Sequence, residues 1–270
     1  MRALYDLLQP SRLTSIVDIG ANPIDAPPVY TRMLEEGLCT VTAIDPQGPE
    51  IAHPSVRTLR HIVGDGTEQT IYVAQSQGMT SLLPISKVRA GLFPKMLEWG
   101  EAKYRSPAKT VRFDDIDDIV DVDFLKMDIQ GSEKDVLTYG RGKLAHAVMI
   151  LTEMSFVPLY QGQWCFGRMD TELRQMGFLP HCFAEAKVWP IATDHPIPQT
   201  DPHQLLECDM VYVRDVTLMH SAEQWKHMAL AAHHICGSFD LAMRAIGELA
   251  KMEAVSPSAP EQYRQMLERM

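Results

Sequence analysis

The sequence has no excess of basic residues and no long apolar run. It carries 25 Lys and Arg against 35 Asp and Glu, which gives a net charge of −10. A surface that binds nucleic acid needs an excess of positive charge, so we expect no nucleic-acid partner. No apolar run reaches the ~18 residues of a membrane-spanning helix, so we expect no membrane span. The first residues include an acid at Asp6, so we expect no signal peptide.

Cysteine is also scarce, with five residues and no Cys-x-x-Cys pair. This wide spacing is not the pattern of a zinc site, and we predict no bound metal. Reduced, unpaired thiols are typical of cytoplasmic proteins, so we predict a cytoplasmic location. The five residues are Cys39, Cys165, Cys182, Cys208 and Cys236.

The rest of the composition, 46% hydrophobic and 22% charged, is that of a globular protein. A strand at 15–20, a helix at 29–36 and a strand at 39–45 form a βαβ unit, which predicts an α/β fold with a parallel sheet. We predict an α/β domain over 1–215 and a helical C-terminal extension over 216–270. Further strands are predicted at 56–63, 70–74, 110–113, 122–128, 147–153, 178–183 and 205–213, and helices at 134–139, 169–176, 221–235 and 238–254.

Several of the predicted strands carry an acid at or just beyond their carboxyl end. Ligands of a parallel α/β sheet bind beyond this edge, so acids that converge there predict a binding site. The residues concerned are Asp18, Asp45, Asp65, Asp128 and Glu153.

The loop after the first strand distinguishes between two cofactors. It reads Asp18-Ile-Gly-Ala-Asn-Pro-Ile-Asp25 and lacks the Gly-x-Gly-x-x-Gly pattern of a dinucleotide site. Its two carboxylates would repel a pyrophosphate, whereas they suit the ammonium and sulfonium groups of S-adenosylmethionine. Asp45 follows Gly20 by 25 residues, where an acid can bind ribose hydroxyls in either class. The loop favours S-adenosylmethionine, with a nicotinamide-dependent oxidoreductase as the alternative.

A set of motifs between residues 15 and 215 resembles a known family. They are Val17-Asp-Ile-Gly-Ala-Asn22, Asp45-Pro46, Gly78-Met-Thr-Ser81, Asp114-Asp115-Ile116, Phe124-Leu-Lys-Met-Asp-Ile-Gln-Gly-Ser-Glu133 with Val136-Leu137, Thr152-Glu153 and Asp209-Met-Val-Tyr-Val-Arg-Asp215. The chain is similar to FkbM-type S-adenosylmethionine-dependent methyltransferases. This resemblance implies a doubly wound, Rossmann-like class I methyltransferase sheet. The chain departs from the family at Pro23, where a second glycine often follows the Asn, and at Gln130, where the family often has Glu.

The resemblance also implies the residues that bind the cofactor. Asp18, Gly20 and Asn22 would hold its methionine part, Asp45 its ribose hydroxyls and Asp65 its adenine amino group. Ser81 and Asp128 would complete the cofactor site. Members of the family typically methylate a hydroxyl oxygen, often on a sugar or polyketide. We therefore expect an O-methyltransferase that acts on a small hydroxylated acceptor, a saccharide or glycan precursor.

Methyl transfer to a hydroxyl is helped by a group that removes the hydroxyl proton. Asp128 is the first choice for this base, Glu153 the second and His181 the third. The alternative is structural: Asp128 would accept backbone N–H groups of the turn at Gln130, and Glu153 would anchor a loop. Asp128 and Glu153 could also hold a divalent ion, but two carboxylates rarely suffice.

The Ala- and Met-rich C-terminal extension has two interpretations. It could form a homo-oligomer through an apolar helix face, or it could cover the flank of the α/β core. A non-catalytic binding protein that retains the methyltransferase fold is a further alternative for the whole chain.

Overall fold

The computed structural model describes residues 2–22, 27–48, 50–195 and 201–269, and its main feature there is a seven-stranded sheet. The strand order is β3-β2-β1-β6-β7-β9-β8. Strand β9 runs antiparallel to both neighbours, and the remaining pairs are parallel. The strands are β1 Thr14–Ile19, β2 Cys39–Ile44, β3 Val56–Leu59, β4 Glu68–Ala74, β5 Ala102–Lys109, β6 Phe124–Met127, β7 Met149–Ser155, β8 Phe178–Trp189 and β9 Gln204–Arg214.

Helices cover both faces of this sheet. They are α1 Arg2–Leu8, α2 Thr31–Glu35, α3 Lys87–Ala90, α4 Met96–Gly100, α5 Glu133–Tyr139, α6 Phe166–Gln175, α7 Ala222–Ala231, α8 Phe239–Lys251 and α9 Ala259–Leu267, with a π-helical turn at Ala232–Cys236 after α7. None of the described helices is long and apolar enough to cross a membrane.

Successive residues of each strand face opposite sides of the sheet, which divides the core in two. On one side Ile16 and Met149 pack with α7, α8 and α9. On the other side Val17 and Ile150 pack with α5 and α6. The sheet is therefore buried on both faces, as in a doubly wound fold. The predicted α/β class and Rossmann-like methyltransferase sheet are confirmed.

The structure differs from the predicted elements between residues 56 and 113. Strand β3 ends at Leu59, and Val63 instead forms an isolated bridge with Val111. The strand predicted at 110–113 is wrong, because the extended segment is β5, which pairs with β4 in a separate two-stranded sheet. Strand β5 is mostly exposed and contains Pro107, so it lacks the apolar run that marks a buried strand.

The C-terminal extension packs on the sheet, since Trp225, Ile246 and Tyr263 belong to the same apolar cluster as residues of β1, β6 and β7. The division at residue 215 stays a prediction, and the shared cluster is consistent with the extension covering the core.

Candidate functional site

The first cleft lies at the carboxyl ends of β1, β2 and β6 and has a volume of about 840 Å³. No described Lys or Arg lines it, so nothing there would neutralise a pyrophosphate. The lining residues that the sequence predicted are Gly20, Asn22, Asp45, Ser81 and Asp128.

Gly20 makes the end of β1 possible. Its φ is +86°, and a Cβ atom there would lie 1.9 Å from the backbone oxygen of Asp128. Only glycine allows the two strand ends to approach this closely, because it has no side chain and adopts positive φ readily. The close approach places the Asp128 carboxyl beside the loop after β1.

Asp45 ends β2 and forms one wall of the first cleft. Its Oδ1 atom accepts the N–H groups of Gln47, at 2.7 Å, and Gly48. These two bonds hold the carboxyl group in place within the turn that follows β2. No described residue donates to Oδ2, which leaves this oxygen able to accept hydroxyl groups of a ligand.

The turn between β6 and α5 holds Asp128 in place. Gln130 adopts a left-handed conformation with φ +55°, and its Nε2 donates to Asp128 Oδ1 at 2.8 Å. The Tyr160 hydroxyl donates to Gln130 Oε1 at 2.9 Å, and Ser81 Oγ donates to the Gln130 backbone oxygen at 2.6 Å. Ser81 is therefore a support of this turn as well as a wall of the first cleft.

Glu133 performs the structural task considered for Asp128. Its Oε1 accepts the Ile129 N–H at 2.8 Å inside the turn. Burial raises the pKa of Glu133 to about 7. The Asp128 carboxyl receives no backbone N–H from the described residues, and its Oδ2 is free to face the clefts.

Asp18 is buried, and both of its oxygens are bonded. The Tyr30 hydroxyl donates to Oδ2 at 2.7 Å, and Lys126 Nζ donates to Oδ1 at 3.1 Å. Burial and the Asp18 charge raise the pKa of Tyr30, so this hydroxyl stays protonated. Asp18 lines the second cleft, described below, and fixes the ends of β1 and β6 together.

Two predicted site residues lie apart from the others. Asp65 Oδ1 accepts the N–H and hydroxyl of Thr67 at 2.8 and 2.7 Å, and hydrogen bonds from Gln69 and Thr67 lower the pKa of Asp65 to about 2. His181 lies at a bulge of β8, where its Nε2 is 2.9 Å from Ser238 Oγ of the extension. Neither residue lines the two clefts of the described structure.

The second cleft adjoins the first and is larger, at about 1920 Å³. The two clefts share five lining residues, which mark the junction: Gly20, Asn22, Gly78, Asp128 and Gln130. Six carboxylates and two lysines line the second cleft, namely Asp18, Asp128, Glu153, Glu185, Glu207 and Asp209 with Lys126 and Lys187.

Glu153 lies in the wall of the second cleft with 6% of its side chain exposed. Lys187 Nζ is 3.8 Å from Glu153 Oε2 but donates to Glu207 Oε1 at 3.1 Å. Burial, then the charge of Asp128, raises the pKa of Glu153 well above its ordinary value. A carboxylate with a raised pKa is a stronger base than an ordinary one.

A family model described as Methyltransferase FkbM domain matches residues 18–180, more than half of the chain. The chain belongs to the FkbM methyltransferase family. Its members use S-adenosylmethionine, so this methyltransferase uses the same cofactor, and the family decides against the nicotinamide alternative.

A search of curated proteins gave no match to this methyltransferase. Among solved structures, it is similar to the Burkholderia thailandensis 1,6-didemethyltoxoflavin-N1-methyltransferase, solved with bound 1,6-didemethyltoxoflavin and S-adenosylhomocysteine. The identity is 13% and the TM-score 0.36, with 78% of this chain and 75% of the other chain covered.

The first cleft of the methyltransferase fits its cofactor on two observations. Ser132 lines the cleft, and its Oγ is buried without a partner among the described residues, so a ligand is needed to satisfy it. The charged side chains in the wall are Asp45 and Asp128, which suit a cationic ligand. Within the described residues, no three His, Cys, Asp or Glu side chains are arranged to hold a metal ion.

Sequence reasoning missed several residues of the clefts. Ser132 gave no signal, because its hydroxyl is recognisable only by its burial. The sequence did signal Glu207 and Asp209, because they alternate with buried residues along β9 and so lie on one face of that strand. Trp99 and Trp189 meet edge to face in the second cleft, with centroids 6.0 Å apart, although they are 90 residues apart in the sequence.

Proposed function

We propose that this protein transfers a methyl group from S-adenosylmethionine to a hydroxyl oxygen of a small acceptor, a saccharide or glycan precursor. The observation that carries the proposal is the junction of the two clefts at Asp128. A donor in the first cleft and an acceptor in the second would meet beside this carboxyl group.

The first cleft would hold the donor. Asn22 and Gly20 would contact its methionine part, and Asp45 Oδ2 would accept a ribose hydroxyl. Ser132 Oγ would form a hydrogen bond with a polar group of the cofactor. The bound cofactor supplies an activated methyl group, so the protein has mainly to align the acceptor oxygen. Asp18 would act indirectly, by holding β1 and β6 in register.

Asp128 would remove the hydroxyl proton of the acceptor. Gln130 occupies its Oδ1 and thereby fixes the plane of the carboxyl group, while Oδ2 remains available to accept the hydroxyl. A positioned base of this kind contributes about 10²–10⁴-fold to the rate. Glu153, one strand away, is the second choice, and the location of His181 gives it no part in the transfer.

The acceptor would lie in the second cleft, whose polar wall suits hydroxyl groups and whose two tryptophans, Trp99 and Trp189, suit the apolar face of a sugar ring. All five cysteines are free thiols, which supports a reducing, cytoplasmic location. Self-association through the C-terminal helices stays a prediction.

The Asp128→Asn variant tests this function. We expect it to bind S-adenosylhomocysteine as tightly as the native protein, by calorimetry, and to transfer labelled methyl groups into a cell glycan extract at least about 100-fold more slowly. Unchanged transfer would make Asp128 structural. A native protein that binds the cofactor but methylates no glycan would favour the non-catalytic alternative.

A further inference from the structure

The second cleft contains more negative charge than its own lysines can neutralise. Each lysine is bonded to one carboxylate: Lys126 to Asp18 and Lys187 to Glu207, both at 3.1 Å. The other four carboxylates of the cleft, Asp128, Glu153, Glu185 and Asp209, accept no hydrogen bond from a described lysine or arginine.

These four carboxylates form a row across the carboxyl part of the sheet. Glu153 of β7 lies directly opposite Asp209 of β9, and Asp209 lies opposite Glu185 of β8. Asp128 follows Met127, which pairs with the residue before Glu153, and so extends the row to β6. Like charges placed directly opposite on neighbouring strands are destabilising. Repulsion between these carboxylates therefore lowers the stability of the protein without a ligand, and a cation bound beside them would relieve it.

Glu153 provides an independent indication of a ligand. Its side chain is more than nine-tenths buried, it faces the second cleft, and its carboxyl group accepts no hydrogen bond from any described residue. The nearest described cation, Lys187 Nζ, is 3.8 Å from Glu153 Oε2 and donates to Glu207 instead. A buried carboxyl group without such bonds is costly unless a ligand supplies them. Burial together with neighbouring carboxylates raises the pKa of Glu153, Glu207 and Asp209, as expected where negative charge is under-compensated.

A metal ion does not match this geometry. The row follows successive strands, which lie about 4.8 Å apart, so Asp128 and Asp209 are separated by two strand spacings, roughly 10 Å. Among the described residues no three acidic, histidine or cysteine side chains are arranged as metal ligands. A cation that fits must be part of a larger molecule. The ammonium and sulfonium groups of a cofactor in the first cleft would reach only Asp128, the one member of the row that lines both clefts of the described structure.

We propose that the acceptor of the methyl transfer carries a protonated primary amine close to its hydroxyl groups, as an amino sugar does, and that Glu153 and Asp209 bind this ammonium group. The inference rests on the proposed function and specifies its acceptor. An ammonium group on Glu153 and Asp209 places neighbouring hydroxyls of the same ring within a strand spacing or two of Asp128. The amine gives the otherwise unbonded Glu153 carboxyl its hydrogen-bond donor.

The test uses the full chain saturated with S-adenosylhomocysteine and three matched probes: glucosamine, N-acetylglucosamine and glucose. Calorimetry measures the affinity for each. We expect glucosamine to bind about tenfold more tightly than the other two, because they lack the charge that the row recognises. Equal affinity for the three, or binding of none of them, would overturn the inference.

Two variants and a control locate the site of recognition. Asp209→Asn and Glu153→Gln should each weaken glucosamine binding about tenfold and raise the melting temperature of the free protein, because each relieves like-charge repulsion. The control is Asp118→Asn, whose exposed carboxyl pairs with Arg57 outside both clefts, and it should leave the affinity unchanged. Unchanged affinity in both cleft variants would refute the assignment.

The outcome separates this inference from the proposed function. If S-adenosylhomocysteine itself fails to bind, the methyl transfer proposal fails before any acceptor is added. If the cofactor product binds and glucose binds as tightly as glucosamine, methyl transfer stands and only the amine requirement is lost.

Discussion

The buried pair of Asp18 and Lys126 allows a quantitative test of how the site is held. The Asp18 side chain is 1% exposed and that of Lys126 is 23% exposed, with 3.1 Å between Nζ and Oδ1. Lys126→Met keeps the length of the side chain and removes its charge, which leaves the carboxylate with the Tyr30 hydroxyl alone. Breaking a buried ion pair in this way costs about 3–5 kcal/mol. We expect a loss of this size in the free energy of unfolding.

The double variant Asp18→Asn, Lys126→Met is the matched control. It removes both charges, and the Tyr30 hydroxyl can still donate to the Asn oxygen. Replacing a whole buried ion pair is often nearly neutral, so we expect the double variant to lie within about 1 kcal/mol of the native protein. With the single variant Asp18→Asn as the fourth corner, and no more stable than the native protein, the cycle then gives a coupling energy of at least about 2 kcal/mol.

Urea unfolding of the full chain measures these free energies, with equal m-values as the check that all variants unfold alike. A loss below about 1 kcal/mol in Lys126→Met would refute the reasoning, because Asp18 would then be solvated or otherwise paired. The double variant also tests the predicted cofactor contact of Asp18: unchanged affinity for S-adenosylhomocysteine would assign Asp18 to the scaffold alone.

Three further predictions concern the first cleft and its turn. The pKa of Glu133 is about 7 in the folded protein, against 4.5 ordinarily, so the free energy of unfolding should fall by up to about 3 kcal/mol as pH rises through that interval. In urea titrations Glu133→Gln should remove the part of this fall that Glu133 causes, and an identical dependence of stability on pH in the variant would contradict the assignment. Asp45→Ala should weaken S-adenosylhomocysteine binding by about 1–3 kcal/mol in calorimetry. Asp45→Asn keeps an oxygen acceptor for the turn and should weaken binding less. If both variants bound as tightly as the native protein, Asp45 would not belong to the site. Gly20→Ala should cost more than about 2 kcal/mol of stability in thermal unfolding, because it adds a clash with the backbone to the strain of a positive φ. Gly162 also has a positive φ but no neighbour within 4 Å, so Gly162→Ala should cost only about 1 kcal/mol. Equal losses would argue against the close approach of Gly20 to the Asp128 backbone.

The sequence predicted which residues meet at the carboxyl edge of the sheet, because local signals were sufficient there; their roles in binding and catalysis stay predictions. Gly20, Asp45 and Asp128 follow apolar runs that can only be buried strands, and parallel strands bring their carboxyl ends to one edge. The family motifs added to the same conclusion. These residues line the first cleft as expected.

Other predicted site residues lie apart from the two clefts of the described structure, because their positions depend on local hydrogen bonds or register. Asp65 satisfies its carboxyl group with Thr67 in the next turn, and a strand-end position does not reveal this. His181 lies where β8 shifts register, so simple alternation along the strand gives no guide to the element it contacts. The contact of Lys187 with Glu207 depends on the pairing of β8 with β9, which the Pro-rich loop between them does not encode.

The helices α7 to α9 have a consequence for biosynthesis. Together with α1 and α2 they cover the face of the sheet that carries Ile16, Phe124 and Met149, so this face is only partly covered until residues 222–267 have left the ribosome. The strands that frame the clefts are all translated earlier, yet their packing is completed last. We therefore expect the nascent chain to expose apolar surface, of the kind that chaperones protect, until its C-terminal helices have been synthesised.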